Sequence, residues 1–219
     1  MIKLKFDSRS PFLPEFIINL FSSTLSIETT NKLAEIVLLE KQNILDNTTK
    51  RDFEHDKNWL TGRLWEYNFL DFNYPEVTEL KKFIRSSYDK YMYDLGLIPE
   101  EKIYIQCWAN ILYNDGRRIE EHNHSNAHAG APLEYSYVSG NLSVQTKNTN
   151  TYFCHPLFPR NIRRAVPNNN SELILFPSFI MHSTDPCVTD IPRITIAFDL
   201  ITEKIYNMID NKNFRELNK

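Results

Sequence analysis

The spacing of apolar residues changes near residue 100, and this change limits the folds open to the chain. Before it, apolar residues recur at helical spacing over residues 26–46 and 75–95. After it, short alternating stretches rich in β-forming residues follow one another, separated by Pro and Asn. Many short strands after a helical lead-in predict a mostly β core with helices packed on one face.

The same pattern predicts the bounds of the strands and the organisation of the chain. Strands are predicted at 103–113, 133–146, 151–154, 172–176, 178–183 and 192–201. A length of 219 residues suits one compact domain. Within it, we expect residues 1–100 to form a helical support region, residues 101–202 the β core, and residues 203–219 a tail or short helix.

Composition excludes several classes of function. The net charge of −3 argues against a nucleic-acid binder, which usually carries a basic surplus. The longest apolar run, residues 173–181, is far shorter than the roughly 20 residues that cross a bilayer, so we expect no membrane partner. The N-terminus is too polar for a signal peptide, and the three cysteines have no paired spacing. These features predict a reducing, cytoplasmic location.

Histidines are concentrated in one short segment, which suggests a metal site. Of the six in the chain, three lie between residues 122 and 128. On a strand, His122 and His124 would project from the same face about 7 Å apart, so both imidazoles can reach one ion. The best candidate for a third ligand is His182, because it follows a strongly β-like segment. For the pair alone, a plain surface or core role is an equally good interpretation.

Arg193 opens an alternating stretch whose two faces differ. One face carries Ile194, Ile196, Phe198 and Leu200, and the other carries Arg193, Thr195, Ala197 and Asp199. A guanidinium forms bidentate bonds to a carboxylate, and a threonine hydroxyl can add a donor. The second face therefore suits a cavity that holds an anion. The alternative is a surface arginine on an edge strand.

Taken in order, these residues resemble the Fe(II)- and 2-oxoglutarate-dependent oxygenases, most closely the prolyl-hydroxylase-like and putative phage or bacterial branch. In that branch, Tyr-x-x-Gly leads by about six residues into His-x-Asp or His-x-His. A distal histidine follows, and about ten residues later a basic residue with Ser or Thr at +2. The matching residues here are Tyr113, Gly116, His122, His124, His182, Arg193 and Thr195, with Trp108 and Asn110 also in the expected places.

The resemblance extends over residues 103–201 and implies a fold, a reaction and a set of roles. The fold would be mostly β, a double-stranded β-helix (jelly roll) core with N-terminal supporting helices. The reaction would be hydroxylation of an unidentified C–H bond, in a small molecule or a peptide, with succinate and CO₂ as co-products. The cofactors would be Fe(II), 2-oxoglutarate as cosubstrate and O₂. For a phage protein, the location would be the host cytoplasm.

The resemblance also assigns roles to individual residues. The metal ligands would be His122, His124 and His182, and the distal carboxylate of 2-oxoglutarate would bind Arg193, with help from Thr195 and the Tyr113 hydroxyl.

One departure from the family pattern concerns the second metal ligand. That ligand is usually Asp or Glu, but His124 stands there. We expect His124 to serve, since some members of the branch carry His-x-His. The nearby carboxylates of Glu120 and Glu121 remain alternatives. The polar stretch after His124 is expected to form a loop over the site, with His128 as a substrate contact.

Two other functions remain open at this point. One is a three-histidine dioxygenase of the cupin type that uses no oxoacid. The other is a jelly-roll binding or structural protein without catalysis. Arg193 separates the first from a 2-oxoglutarate enzyme, because only the latter needs a guanidinium for its cosubstrate. The oligomeric state is not legible from the sequence.

Overall fold

The computed structural model describes residues 1–7, 15–49, 60–124, 137–158, 162–209 and 213–218. In these parts the strands are β1 Ile2–Phe6, β2 Phe16–Thr24, β3 Ile103–Leu112, β4 Val138–Gln145, β5 Asn150–Cys154, β6 Arg163–Pro167, β7 Glu172–Pro177, β8 His182–Thr184, β9 Arg193–Thr202 and β10 Arg215–Glu216. The helices are α1 Ile27–Asn47, α2 Pro75–Asp94 and α3 Glu203–Tyr206, with 3₁₀ turns at Thr61–Arg63 and Phe69–Asp71. None of the described helices has the length and apolarity needed to span a bilayer.

The strands form two antiparallel sheets. The larger sheet has seven strands in the order β1-β2-β7-β4-β9-β3-β10, and the smaller has three in the order β6-β5-β8. Strand β9 lies inside the larger sheet, paired along its length with β3 and β4. A central strand is held on both edges, so the side chains it presents are fixed in direction. The prediction of a mostly β fold is confirmed.

The main core lies between the larger sheet and helices α1 and α2. Helix α1 begins after Ser26, whose hydroxyl accepts the Thr29 N–H at 3.0 Å, a typical N-cap. The apolar face of β9 is fully buried in this core, as its alternation predicted. Gly140 on β4 makes room for the Phe198 ring, because a Cβ at Gly140 would lie 2.2 Å from that ring. One face of β9 therefore anchors the strand and leaves the other face to the site.

Two predictions about the secondary structure need correction. Residues 2–6 and 16–24 are strands, although the region before residue 100 was expected to be helical. Strand β2 extends the larger sheet by pairing with β7, a long-range contact that local periodicity does not report. The strand predicted at 178–183 begins only at His182, since the chain turns after Pro177, where the Ile180 N–H donates to the Pro177 carbonyl.

Candidate functional site

Three imidazoles meet where the segment after β3 runs beside β8. The His122 N–H donates to the His182 carbonyl at 3.0 Å, and the His182 N–H returns a bond to the His122 carbonyl at 2.8 Å. The His124 N–H donates to the Ser178 carbonyl at 3.0 Å. This extended pairing directs both rings of the His-x-His pair to one side. One nitrogen from each of the three rings lies within 4.8 Å of the others.

The ring nitrogens that point away from this centre all have oxygen acceptors. The acceptors of Nδ1 are the Glu120 carbonyl for His122 at 2.7 Å, the Ile180 carbonyl for His182 at 3.0 Å and the Asp199 carboxylate for His124 at 3.0 Å. Because these oxygens can only accept, each Nδ1 carries a proton, which leaves each Nε2 as the nitrogen available to a metal. The Nε2 atoms of His124 and His182 lie 3.4 Å apart. Three lone pairs therefore converge on one point.

Burial keeps two of the imidazoles neutral. Desolvation, and next the neighbouring His124, lower the pKa of His122 to about 4. Burial is also the main cause that holds the pKa of His182 well below its usual value, with His122 and His124 adding to the effect. A histidine binds a metal only in its neutral form. At neutral pH, His122 and His182 are thus in the form that can bind a divalent cation.

At its start, strand β9 contributes a second feature, a buried guanidinium. Arg193 is only 4% exposed, and its Nε and Nη1 have no hydrogen-bond partner among the described residues. Burial lowers the pKa of Arg193 to about 10, so it remains charged at neutral pH. Two residues on, the Thr195 hydroxyl accepts the amide N–H of Asn110 at 3.2 Å. An unpaired buried cation is costly, and a bound anion would offset that cost.

The imidazoles and the guanidinium line one cavity of about 310 Å³. Residues from both sheets form its walls, and aromatic side chains are prominent among them: Trp65, Trp108, Phe153 and Phe176. Trp108 stacks on the His124 ring at a centroid distance of 5.8 Å, and Phe176 meets the His182 ring edge-on at 4.7 Å. An apolar cavity with a few convergent polar groups is typical of small-molecule sites.

The structure places Tyr113 away from this cavity, which corrects the expectation that its hydroxyl helps bind 2-oxoglutarate. Tyr113 is 37% exposed and its hydroxyl accepts a hydrogen bond from Lys41 at 3.1 Å. It is absent from the cavity lining, whereas Thr195 and Asn110 are part of it. The physical reason is the alternation along β3: Trp108 and Asn110 face the cavity, whereas Tyr113 is in phase with Ile111, which is buried in the core on the other face.

The two carboxylates that precede the His-x-His pair in the sequence, Glu120 and Glu121, have other partners. Glu120 forms an exposed ion pair with Arg118 at 3.0 Å, and Glu121 accepts the Cys154 thiol at 3.3 Å. Neither belongs to the three-imidazole cluster. His128 lies outside the described residues. His155 packs against the rings of Phe6 and Phe16, in agreement with a structural role.

Sequence reasoning missed the partner of His124. Asp199 was placed on the cavity face of β9 without a role, and its carboxylate contacts the His124 ring. The available signal was an acidic residue near the end of an otherwise apolar strand, in phase with Arg193. Ser139 was also missed, and its hydroxyl donates to Asp199 at 2.6 Å.

The site region matches a known family. Residues 106–199, which contain the three histidines and Arg193, match the model of a family described as putative 2OG-Fe(II) oxygenase. The predicted resemblance is confirmed. This oxygenase family uses Fe(II), 2-oxoglutarate and O₂, and a three-histidine cluster is present in the chain. No curated protein matches the chain in sequence.

Solved structures of low sequence identity share the fold. A Pseudomonas putida prolyl-4-hydroxylase is 11% identical with a TM-score of 0.54, and the match covers 84% of this chain and 92% of that one. The viral collagen prolyl hydroxylase of Paramecium Bursaria Chlorella virus-1, in its 2OG complex, is 11% identical with a TM-score of 0.56, and the match covers 84% of this chain and 95% of that one. The α-ketoglutarate-dependent carbocyclase SnoK of nogalamycin biosynthesis is 9% identical with a TM-score of 0.58, and the match covers 91% of each chain. The predicted jelly-roll fold is confirmed.

Proposed function

We propose that the protein is an Fe(II)- and 2-oxoglutarate-dependent dioxygenase. In this proposal it hydroxylates a C–H bond of a small-molecule or peptidyl substrate and releases succinate and CO₂. The observation that carries the proposal is the presence, in one cavity, of three convergent imidazoles and a buried guanidinium with unpartnered N–H groups. The prolyl hydroxylases and the carbocyclase that share the fold support both substrate classes by their names.

The three imidazoles fit a ferrous ion. Imidazole nitrogen is a good ligand for iron, and three protein ligands leave coordination positions for small molecules. His122, His124 and His182 would hold the metal through their Nε2 atoms, because their Nδ1 atoms are already bonded to oxygens. With 2-oxoglutarate bound beside it, the metal supplies the oxidising chemistry, while the protein provides position and electrostatics.

The guanidinium end fits the distal carboxylate of 2-oxoglutarate. Arg193 would donate its free N–H groups to that carboxylate in a charge-assisted pair. The Thr195 hydroxyl already accepts from Asn110, so its own proton is available for the same anion. The Asn110 amide oxygen accepts in turn from the Thr61 hydroxyl, which fixes the orientation of the amide. The three side chains form a polarised row of donors that ends at the anion.

Aromatic packing would orient the metal ligands and limit water. Trp108 and Phe176 contact the rings of His124 and His182, so the imidazoles have little freedom to rotate. Second contacts of this kind hold metal ligands in a productive orientation. The apolar walls also strengthen the electrostatic interactions inside the cavity, because they exclude solvent.

The decisive experiment measures succinate formed from 2-oxoglutarate by the purified protein with Fe(II) and O₂, with no added substrate. We expect slow uncoupled turnover by the wild type and none by Arg193→Met. As a matched control, Arg215→Ala removes an exposed ion pair with Asp71 and should behave as the wild type.

Two other outcomes would contradict the proposal in different ways. Metal-dependent O₂ uptake that survives Arg193→Met, without succinate, would favour a dioxygenase that needs no oxoacid. Failure of the wild type to bind any divalent metal would favour a jelly-roll protein without catalysis.

A further inference from the structure

Asp199 is a buried carboxylate that contacts one of the three clustered imidazoles. It is 8% exposed, and both of its oxygens lie 3.0 Å from Nδ1 of His124. Among the described residues, it forms no ion pair with a lysine or an arginine. Burying a carboxylate is costly unless a positive charge or several donors compensate. For Asp199, any compensating positive charge has to come through the His124 ring, from a cation bound to that ring.

A buried hydrogen-bond chain fixes the orientation of this carboxylate. The Ser139 hydroxyl donates its only proton to Asp199 at 2.6 Å. Ser139 also lies 2.8 Å from the Ser178 hydroxyl, so Ser178 must be the donor of that second bond. Both serines are about 1% exposed. The chain holds the carboxylate against the His124 ring without help from solvent.

The three imidazoles therefore differ in the group behind them. His122 and His182 donate to backbone carbonyls, which are neutral, whereas His124 donates to a carboxylate. A carboxylate acceptor makes an imidazole a more basic ligand and places negative charge beside the metal. The difference falls at His124, the position where the family pattern has an acidic ligand.

We propose that Asp199 is a positioning residue that supplies, through His124, the negative charge that an acidic ligand would otherwise bring to the metal. In this arrangement the negative charge lies on a residue that is hydrogen-bonded to the metal ligand, and His124 itself would bind the metal. The inference rests on the proposed function, because it presumes that the three imidazoles hold a divalent ion. Outer contacts of this type typically contribute about 10-fold to 100-fold in metal affinity.

The test is a titration of the full-length apo-protein with Co(II) alone, followed by its visible absorption. Asp199→Asn removes the charge and keeps one oxygen acceptor for His124, because Ser139 can accept from the new amide and donate to Ser178 instead. We expect Co(II) to bind about 10-fold or more weakly to Asp199→Asn, with an altered absorption spectrum.

The matched control is Asp185→Asn. Asp185 is also a carboxylate close to β8, but it accepts from Asn150 and contacts no histidine of the cluster. Its substitution should leave the Co(II) affinity within about 2-fold of the wild type. If the loss of any negative charge in this region weakened Co(II) binding, both variants would be weakened equally, and that result would overturn the proposal.

A second measurement needs no substitution at Asp199. In the Zn(II)-loaded wild type, the ring N–H proton of His124 should resonate further downfield than those of His122 and His182, since only His124 donates to a carboxylate. Equal chemical shifts for the three ring protons would overturn the proposal even if Asp199→Asn fails to fold.

The remaining outcomes are distinguishable. If the wild type and Asp199→Asn bind Co(II) equally, Asp199 has no role at the metal and the proposed function is untouched. If the wild type binds no Co(II), the proposed function fails and this inference fails with it. If His124→Ala binds Co(II) as well as the wild type while Asp199→Asn does not, Asp199 is itself the ligand and the proposal is wrong.

Discussion

Two buried charges share the cavity face of β9, and their surroundings are opposite. Arg193 leaves two guanidinium nitrogens without a partner among the described residues. Asp199, near the other end of the strand, has the His124 ring and the Ser139 hydroxyl against its oxygens. Buried polar groups in folded proteins are nearly always hydrogen-bonded, so an exception calls for an explanation.

The contrast separates a carboxylate that is hydrogen-bonded within the chain from a guanidinium with two nitrogens that lack a partner among the described residues. At the Asp199 end, the chain supplies hydrogen-bond donors to the carboxylate from His124 and Ser139, and the stability of the fold depends on that arrangement. At the Arg193 end, the buried guanidinium carries a desolvation cost that a bound anion would offset. Substitutions at the Arg193 end should consequently affect 2-oxoglutarate binding, and substitutions at the Asp199 end should affect the stability of the apo-protein.

The largest expected effect is on 2-oxoglutarate binding by Arg193→Met. Loss of a buried, charge-assisted pair should weaken 2-oxoglutarate binding to the Co(II)-loaded protein about 100-fold or more, measured by calorimetry without O₂. Because Met removes an unpaired buried charge and keeps most of the volume, the melting temperature of the apo-protein should stay the same or rise. A clear fall in melting temperature would show that Arg193 is already satisfied within the fold.

Of the two ends of this cavity, acid should act on the one that carries the histidines. The pKa of His122 in the folded protein is about 4, below the usual 6.5, so the unfolded chain takes up its proton first. His122 alone should then lower the stability of the apo-protein by roughly 2 kcal/mol as the pH drops from about 6.5 towards 4, once its partial exposure is allowed for. His182, whose pKa is also lowered by burial, should add to this loss. Arg193 stays protonated throughout this range.

Urea unfolding of the apo-protein at several pH values measures this effect. The variant His122→Asn, which carries no titrating ring, should show a shallower dependence on pH. An equally steep loss of stability in that variant would assign the effect to groups other than His122.

Asp199→Ala should destabilise the apo-protein, in contrast to Arg193→Met. The substitution leaves the His124 ring N–H and the Ser139 hydroxyl without their acceptor, which costs about 1–2 kcal/mol. Asp199→Asn, which keeps an acceptor, should cost less. Urea denaturation of the metal-free proteins gives these values directly, and an unchanged midpoint for Asp199→Ala would remove the distinction between the two ends of β9.

Much of the site could be predicted because strand alternation is a local property. The spacing of two residues between His122 and His124, and between Arg193 and Thr195, placed each pair on one face. The structure brings these residues into one cavity. The same alternation argues against the expected role of Tyr113, because this residue lies an odd number of positions from Asn110 and just beyond the end of β3 at Leu112.

Other features depend on contacts between distant parts of the chain. The bond between His124 and Asp199 joins residues 75 positions apart and requires the register of β9 against β4, in which Ser139 faces Asp199. Strands β1 and β2 are defined by pairing at the edge of the larger sheet, and their composition alone did not separate them from loop or helix. Register and edge pairing are tertiary properties, so local patterns do not report them.

The smallest expected effect concerns Thr195 and tests whether the Arg193 end is organised beyond a single charge. Thr195→Val keeps the shape of the side chain and removes one hydroxyl, which should weaken 2-oxoglutarate binding about 2-fold to 10-fold. Because the hydroxyl also accepts from Asn110, the variant leaves that amide donor unpaired, whereas Thr195→Ser keeps both bonds and should bind as the wild type. If Thr195→Val binds 2-oxoglutarate as tightly as Thr195→Ser, the anion is held by Arg193 alone and the row of donors from Thr61 through Asn110 has only a structural role.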